Sequence, residues 1–198
     1  MPAALLLALL ALPFVAYAAI ALGRKSRYRA LAARLGAKHT ETGLFSAGAI
    51  AGEDFRIETE RAGKTFITNV HVLASGAPGR FILRPKFFER APDWNFAWVP
   101  GTRTERVFLW EVAVGGYAKP DRQQQEALLR WLPRLADLAD LPRALELSRV
   151  RQIVIADGSL STHFRGIVSN LDRLRVTLEA LRQMRATSSP SLPSSPPS

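Results

Sequence analysis

The sequence predicts an α+β protein: an N-terminal transmembrane helix followed by an antiparallel sheet domain covered by helices on one face. Three features predict this class. An uncharged apolar run opens the chain from Ala3 to Gly23. Segments that alternate between apolar and polar residues, rich in β-branched and aromatic side chains, follow it and are typical of strands. Amphipathic leucine-rich segments close the chain, and such helices bury their apolar stripe against another layer.

The opening apolar run has the length of a membrane span. Its 21 residues form a helix about 31 Å long at about 1.5 Å per residue, which matches a hydrocarbon core of about 30 Å. Pro13 lies inside it, and membrane helices tolerate such a residue. We therefore predict a transmembrane anchor at residues 1–23. Two alternatives remain: a signal peptide cleaved after Ala18, and a helix buried in a soluble core.

Positive charge follows the run rather than preceding it, whereas a secretory signal usually begins with positive charge. The four cations are candidates for contact with the membrane interface: Arg24, Lys25, Arg27 and Arg29. Because basic residues stay on the cytoplasmic side, we expect a single-pass inner-membrane protein with its N-terminus outside and its domain in the cytoplasm. The cations either bind anionic headgroups, at about 1 kcal/mol each, or only set the topology.

Residues 24–38 predict a juxtamembrane basic helix, because Tyr28, Leu31, Ala32 and Leu35 share one face and Gly36 is a helix terminator. The cytoplasmic domain is expected over 39–186.

The first part of that domain predicts strands. Two alternating runs, 55–61 and 64–72, flank Ala62-Gly63 and indicate an antiparallel hairpin. The run "RFILRPKFF" predicts another strand, ended or placed at an edge by Pro85. The runs "DWNFAWVPGT" and "RVFLWEVAVGGYAK" are aromatic and β-branched, as strands are. Their large rings either fill the centre of a sheet or form an exposed patch: Trp94, Phe96, Trp98, Phe108 and Trp110.

The second part predicts helices around one hairpin. Pro120 begins a helical segment that Pro133 and Pro142 should divide into two short helices. Asp157-Gly158 between apolar runs indicates a hairpin turn. A last helix, through about Arg185, carries an apolar stripe that either covers the sheet or forms a coiled coil; its members are Ile167, Leu171, Leu174, Leu178 and Leu181. The Ser/Pro-rich tail, 187–198, is expected to be disordered.

Composition excludes several classes of protein. The chain has 198 residues and no cysteine, so disulfides, Cys-ligated zinc, haem attachment through Cys and a lipid-modified Cys are excluded. The net charge of +10 is compatible with nucleic acid, an anionic membrane or an acidic partner. Nucleic acid is not expected, because single-stranded binding needs aromatic side chains among the cations. The cationic stretch, which offers only Phe164, comprises Arg165, Arg173, Arg175, Arg182 and Arg185.

The search for chemistry finds no catalytic, cofactor or metal-binding motif. No phosphate loop, dinucleotide fingerprint, zinc-protease or nucleophile-elbow sequence occurs. The histidines, His39, His71 and His163, have no metal-ligand spacing. We therefore predict no catalytic residue, no metal ligand, no cofactor and no enzymatic activity.

Two arrangements come nearest to catalysis. A turn at Ala62-Gly63 would place Asp54 opposite His71, as either a general base with its orienting carboxylate or an ordinary cross-strand pair. His163 shares the second hairpin with Ser161 and Asp157. Ser161 and His163 should point to the same side of their strand, and Asp157 is required by the turn, so triad geometry is not expected.

The stretches "RYRALAARLGAKH", "VAVGGYAKPDRQQQEALL" and "IADGSLSTHFRG" resemble segments of bacterial single-span membrane-anchored proteins of unknown function. The resemblance covers about residues 24–186 and implies architecture only. We expect a membrane-anchored interaction or scaffold module. The alternatives are a membrane-bound hydrolase, a module that binds anionic lipid or nucleic acid, and an exported envelope protein.

Overall fold

The computed structural model describes residues 2–42, 46–75, 81–85, 106–107, 110–113, 122–156 and 158–188. Its helices and antiparallel strands confirm the α+β class. The chain divides into two compact units, which are described separately. Unit 1 comprises 1–69 with 164–171, and unit 2 comprises 70–163 with 172–198.

Unit 1 begins with helix α1, Pro2–Arg34, which continues through Pro13 without a break. Tyr28, Leu31 and Ala32 form its buried face, as the sequence predicts, while Leu35 is half-buried. The helix ends before the predicted residue 38. Gly36 has φ +64°, and the Ala37 N–H reaches the Ala32 carbonyl at 2.9 Å; these are the features of a glycine-terminated Schellman motif.

Within the described residues, none of the helices combines the length and apolarity needed to cross a membrane.

The strands of unit 1 pair in the order β1-β2-β3-β4. Their bounds are β1 Lys38–Thr40, β2 Ala49–Ala51, β3 Phe55–Ala62 and β4 Thr65–Leu73, the last of which continues into unit 2. Burial alternates along β3, so that Phe55, Ile57 and Thr59 lie inside. Ile57 is opposite Ile50 of β2 in an antiparallel register. The sequence analysis predicted the β3-β4 hairpin but did not identify the short strands β1 and β2.

The turn between β3 and β4 corrects one prediction. Its two residues are Gly63 and Lys64, one position later than the predicted Ala62-Gly63. Gly63 has φ +61°, a left-handed conformation that glycine adopts without strain. Because cross-strand partners are counted outward from the turn, the shift changes the whole register. Asp54 lies just before β3, which begins at Phe55, and His71 lies in β4, so the pairing of these two side chains stays a prediction.

The strands of unit 2 follow the order β9-β8-β5-β7-β6 beside the end of β4. They are β5 Phe81–Pro85, β6 Arg106–Val107, β7 Trp110–Ala113, β8 Ile153–Ala156 and β9 Ser159–Arg165. The second predicted hairpin is confirmed, since Ala156 pairs with Ser159 and Val154 with Ser161. Gly158 has φ +70°, whereas Asp157 lies outside the described residues. So do Trp94, Phe96, Trp98 and Phe108 of the predicted aromatic strands and residues 189–198 of the predicted tail. Residues 187 and 188, which were assigned to the tail, instead end the last helix.

Two helices connect β7 to β8, but Pro133 does not separate them. Helix α2, Arg122–Ala136, contains Pro133, and α3, Leu141–Leu147, has a proline in its first turn. Pro133 removes the one N–H that would bond the carbonyl four residues earlier, and only three helical residues follow it. Trp131 is buried and its indole N–H donates to Thr187 Oγ1 at 3.0 Å. The predicted break at Pro133 was wrong, and the break near Pro142 is confirmed.

Helix α4, Leu171–Ser188, carries the predicted apolar stripe. Leu174, Leu178 and Leu181 are buried within the single chain, so this stripe is not available for a coiled coil. Leu171 is only half-buried, contrary to expectation, because it occupies the first position of the helix. Arg173 is also half-buried rather than solvated, since its Nε–H donates to the Ser148 carbonyl at 2.8 Å.

We expect Leu174→Ala to destabilise the protein by about 2–5 kcal/mol, because it opens a cavity at a fully buried position. Glu179→Ala, at an exposed position of the same helix, should change stability by less than about 0.5 kcal/mol. Thermal and urea unfolding of the full chain in mild detergent measure both. Equal effects of the two substitutions would contradict the observed burial of the stripe.

Candidate functional site

The four predicted interface cations lie on two sides of α1. An α-helix turns by about 100° per residue, so positions 25 and 29 share one side while 24 and 27 share another. On the first side, Lys25 Nζ lies 2.9 Å from Glu41 Oε2, and Arg29 pairs with the other oxygen of the same carboxylate. Hydrogen bonds from Lys25 and then from Arg29 hold the pKa of Glu41 below its usual value.

Arg24 and Arg27 have a different environment. The Arg24 guanidinium lies over the ring of Phe66, 5.1 Å from its centre, at cation–π distance. Arg24 is half-buried and Arg27 is exposed. Among the described residues, no carboxylate forms an ion pair with either arginine. These two cations therefore keep their charge available, whereas Lys25 and Arg29 share one carboxylate.

A cavity of about 320 Å³ lies beside this second side of α1, entirely within unit 1. Helix α1 contributes Arg24, Arg27 and Tyr28 to its lining, and β4 contributes Phe66. The segment after β9 contributes Gly166, Ile167 and Ser169. Arg27 and Ser169 are exposed, so the cavity is open to solvent. Two cations and no carboxylate line it, which makes it a candidate site for an anion.

Hydrogen bonds from β4 hold the segment after β9 in place. The Thr68 hydroxyl donates to the Gly166 carbonyl at 2.7 Å and accepts from the Val168 N–H at 3.0 Å. The Gly166 N–H donates to the Phe66 carbonyl at 2.7 Å. Gly166 has φ +88°, which strains any residue with a side chain. The wall of the cavity is therefore built on a fixed backbone.

Tyr28 joins α1 to the same segment. Its hydroxyl donates to the Val168 carbonyl at 2.9 Å, and the side chain is completely buried. Burial raises the pKa of Tyr28 to about 12, although the Thr68 side chain acts in the opposite direction. The neutral hydroxyl is therefore the form that the folded unit requires.

The hydroxyl and imidazole of the β8-β9 hairpin bond to other groups rather than to each other. The Ser161 hydroxyl donates to the Val154 carbonyl at 3.3 Å, and His163 Nδ1 lies 3.3 Å from the amide nitrogen of Gln152. Ser161 and His163 do point to the same, half-buried side of β9. His39 Nε2 lies 2.9 Å from the Ala47 carbonyl. In the described part of the chain, no cluster of three His, Asp or Glu side chains suits a metal ion.

Sequence reasoning identified the cations and Tyr28 but missed the rest of the cavity. Phe66 had been recognised only as a strand residue. The segment "GIVS" at 166–169 contains no motif that marks a site, because its contribution depends on hydrogen bonds to a strand about 100 positions earlier in the chain.

Tyr28→Phe should destabilise the protein by about 1–3 kcal/mol, because it leaves the Val168 carbonyl without its donor. The substitution should also change how the free energy of unfolding depends on pH in the alkaline range. The folded-state pKa of about 12 lies above the model value of 10.0, so the wild type keeps this contribution below about pH 10 and loses it progressively above. The variant should lack that loss. Urea unfolding at about pH 8 and pH 11, with Tyr17→Phe as the exposed control, measures the difference.

The loss of folding stability in acid should depend on His163. Burial lowers the pKa of His163, because the charged imidazolium is disfavoured there. The neutral imidazole therefore contributes stability at pH values above the ordinary pKa of histidine, about 6.5. This contribution is lost as the pH falls through the folded-state pKa. His163→Gln should reduce the loss of stability between about pH 7 and pH 5. A variant with the same acid profile as wild type would contradict this assignment.

Comparison with known proteins shows a likeness of fold. No protein-family model matches the chain, and no curated protein matches it. Among solved structures, the chain is similar to the mycobacterial trehalose monomycolate transport factor A, TtfA, with a TM-score of 0.50 and 12% sequence identity. The match covers 87% of this chain and 99% of that chain. Since unrelated functions occur on one fold, the likeness at this identity shows the fold alone.

Proposed function

We propose that the chain is a membrane-anchored, non-enzymatic interaction module, held at the bilayer by the apolar run Ala3–Gly23. The observation that carries the proposal is the exposure of the apolar part of α1. Every described side chain from 11 to 20 is exposed. Among its large hydrophobic side chains the exposed fractions include Leu12 at 68%, Phe14 at 77%, Val15 at 66%, Ile20 at 52% and Leu22 at 67%.

Such exposure is unfavourable in water. Covering a side chain of this size is worth about 1.5–3 kcal/mol, so covering the large side chains of α1 is worth on the order of 10 kcal/mol. These residues occupy all sides of the helix rather than one stripe, and a helix that is apolar all round is typical of a membrane environment. A protein groove normally covers one face only. Lipid is therefore the environment that best fits the whole circumference.

The charges that follow the run support an orientation with the chain after Gly23 in the cytoplasm. Arg24, Lys25, Arg27 and Arg29 come directly after the run. The non-enzymatic part of the proposal is supported by the hydroxyl of Ser161, which donates to a backbone carbonyl rather than to His163. The likeness to TtfA is one of fold and gives no support to a transport role.

The anchor predicts that the full chain stays in the membrane pellet after alkaline carbonate extraction. Leu12→Arg combined with Val15→Arg should release it, since an arginine near the centre of a span costs about 2.5–3.5 kcal/mol. Leu147→Arg is the matched control, because Leu147 is equally exposed, at 65%, but lies in α3. Release of the wild-type chain, or of all variants alike, would contradict the anchor.

The orientation is tested with the same membranes. A reporter that is active only in the periplasm, fused after Arg185, should stay silent. Strong activity would support the exported alternative, and a mature N-terminus at Ala19 would show that the apolar run is a cleaved signal.

A further inference from the structure

We infer that the cavity beside Arg24 and Arg27 binds the phosphate-bearing headgroup of an anionic lipid. This inference rests on the proposed membrane anchoring and specifies what the anchored domain recognises at the bilayer. It is carried by the position of the cavity along α1, by the different pairing of the four cations and by the contact between Arg24 and Phe66.

The position of the cavity corresponds to the depth of the lipid headgroups. At about 1.5 Å per residue, Arg24 and Arg27 lie about 1.5 and 6 Å beyond Gly23, the last residue of the apolar run. The headgroup region extends about 5–7 Å beyond the hydrocarbon core on each side. If the run fills the core, both guanidinium groups are therefore at the level of the phosphates.

The pairing of charges distinguishes this side of α1 from the other. Glu41 compensates Lys25 and Arg29, whereas within the described residues no carboxylate pairs with Arg24 or Arg27. Two cations that share a cavity without a counter-ion repel each other, and a bound phosphate would remove that repulsion. A topology signal alone would not require this division, because all four charges would serve it equally.

Phe66 holds Arg24 at the cavity without neutralising it. The guanidinium carbon lies over the ring, 5.1 Å from its centre, and a cation–π contact leaves the positive charge available to an anion. Arginine offers its N–H donors in a planar fork that matches two phosphate oxygens. Arg27 supplies a second cation and Ser169 a hydroxyl at the same cavity. The volume of about 320 Å³ is near the lower limit of small-molecule sites, about 300 Å³, and suits a headgroup rather than a whole lipid.

Two matched double variants test the inference: Arg24→Gln with Arg27→Gln, and Lys25→Gln with Arg29→Gln. Each removes two positive charges from the same segment of α1, so non-specific attraction to anionic lipid should fall equally in both. A site at the cavity predicts a further loss of binding in the first variant that the second does not show. Since one basic residue near an anionic surface is worth about fivefold in binding, the expected loss is roughly 30-fold.

The full chain, purified in a neutral detergent, is titrated by calorimetry with four probes. They are short-chain phosphatidylglycerol, short-chain phosphatidylcholine, glycerol phosphate and inorganic phosphate. We expect phosphatidylglycerol to bind most tightly, with binding lost in the Arg24/Arg27 variant and retained in the Lys25/Arg29 variant. Arg24→Lys should bind weakly despite its charge, because it lacks the planar fork.

Three outcomes would overturn the inference. Equal losses in the two double variants would show diffuse electrostatic attraction. Equal binding of phosphatidylcholine would show that the negative charge of the headgroup is not recognised. Binding of glycerol phosphate or inorganic phosphate as tight as that of the lipid would assign the cavity to a soluble phosphate compound.

The experiments distinguish failure of the proposed anchor from failure of the proposed lipid site. All variants should remain in the pellet after carbonate extraction if the apolar run holds the chain in the membrane, whatever the calorimetry shows. Thermal unfolding of each variant in the same detergent controls for folding. Loss of lipid binding with an unchanged melting temperature supports the cavity, and retention of lipid binding by a stable Arg24/Arg27 variant refutes it.

Discussion

The buried hydroxyl of Thr68 is the interaction on which the architecture of unit 1 depends. This single group donates to the Gly166 carbonyl and accepts from the Val168 N–H. It thereby holds a segment without regular secondary structure against β4, and Tyr28 then attaches α1 to that segment through the Val168 carbonyl. Removing any one of these hydrogen-bonding groups would leave its partner unsatisfied. An unsatisfied buried polar group costs about 1–3 kcal/mol of stability. The cavity exists because these bonds fix its walls.

The cations that follow the apolar run are divided between two partners. Glu41, carried by the chain just after β1, takes the cations on one side of α1, and Phe66 of β4 takes Arg24 on the other. The ion pairs of Glu41 are exposed and contribute little to stability. Their consequence is instead to leave Arg24 and Arg27 as the cations of the cavity. An aromatic face can hold a guanidinium without neutralising it, which a carboxylate cannot do.

The two parts of α1 lie in different environments. From 11 to 20 every side chain is exposed, whereas Tyr28, Leu31 and Ala32 are buried in unit 1. The change occurs across Gly23 and Arg24, where apolar sequence gives way to charge. The proposed membrane anchoring would place lipid around the first part, whereas the second part packs within unit 1.

The sequence by itself determined the elements whose signals are local. Periodicity identified the stripe of α4 and the buried face at Tyr28, and glycine marked the end of α1 and the β8-β9 turn, because side-chain spacing and left-handed backbone conformations act over a few residues. Tertiary structure decided the features that depend on residues distant in the sequence. The register after the β3-β4 turn, the helical continuation through Pro133 and the half-buried position of Arg173 were each set by contacts or geometry beyond the local pattern. The cavity is the clearest case: its cations were visible in the sequence, but Phe66 and the segment 166–169 meet them only because Thr68 and Tyr28 bind backbone groups about 100 to 140 positions away.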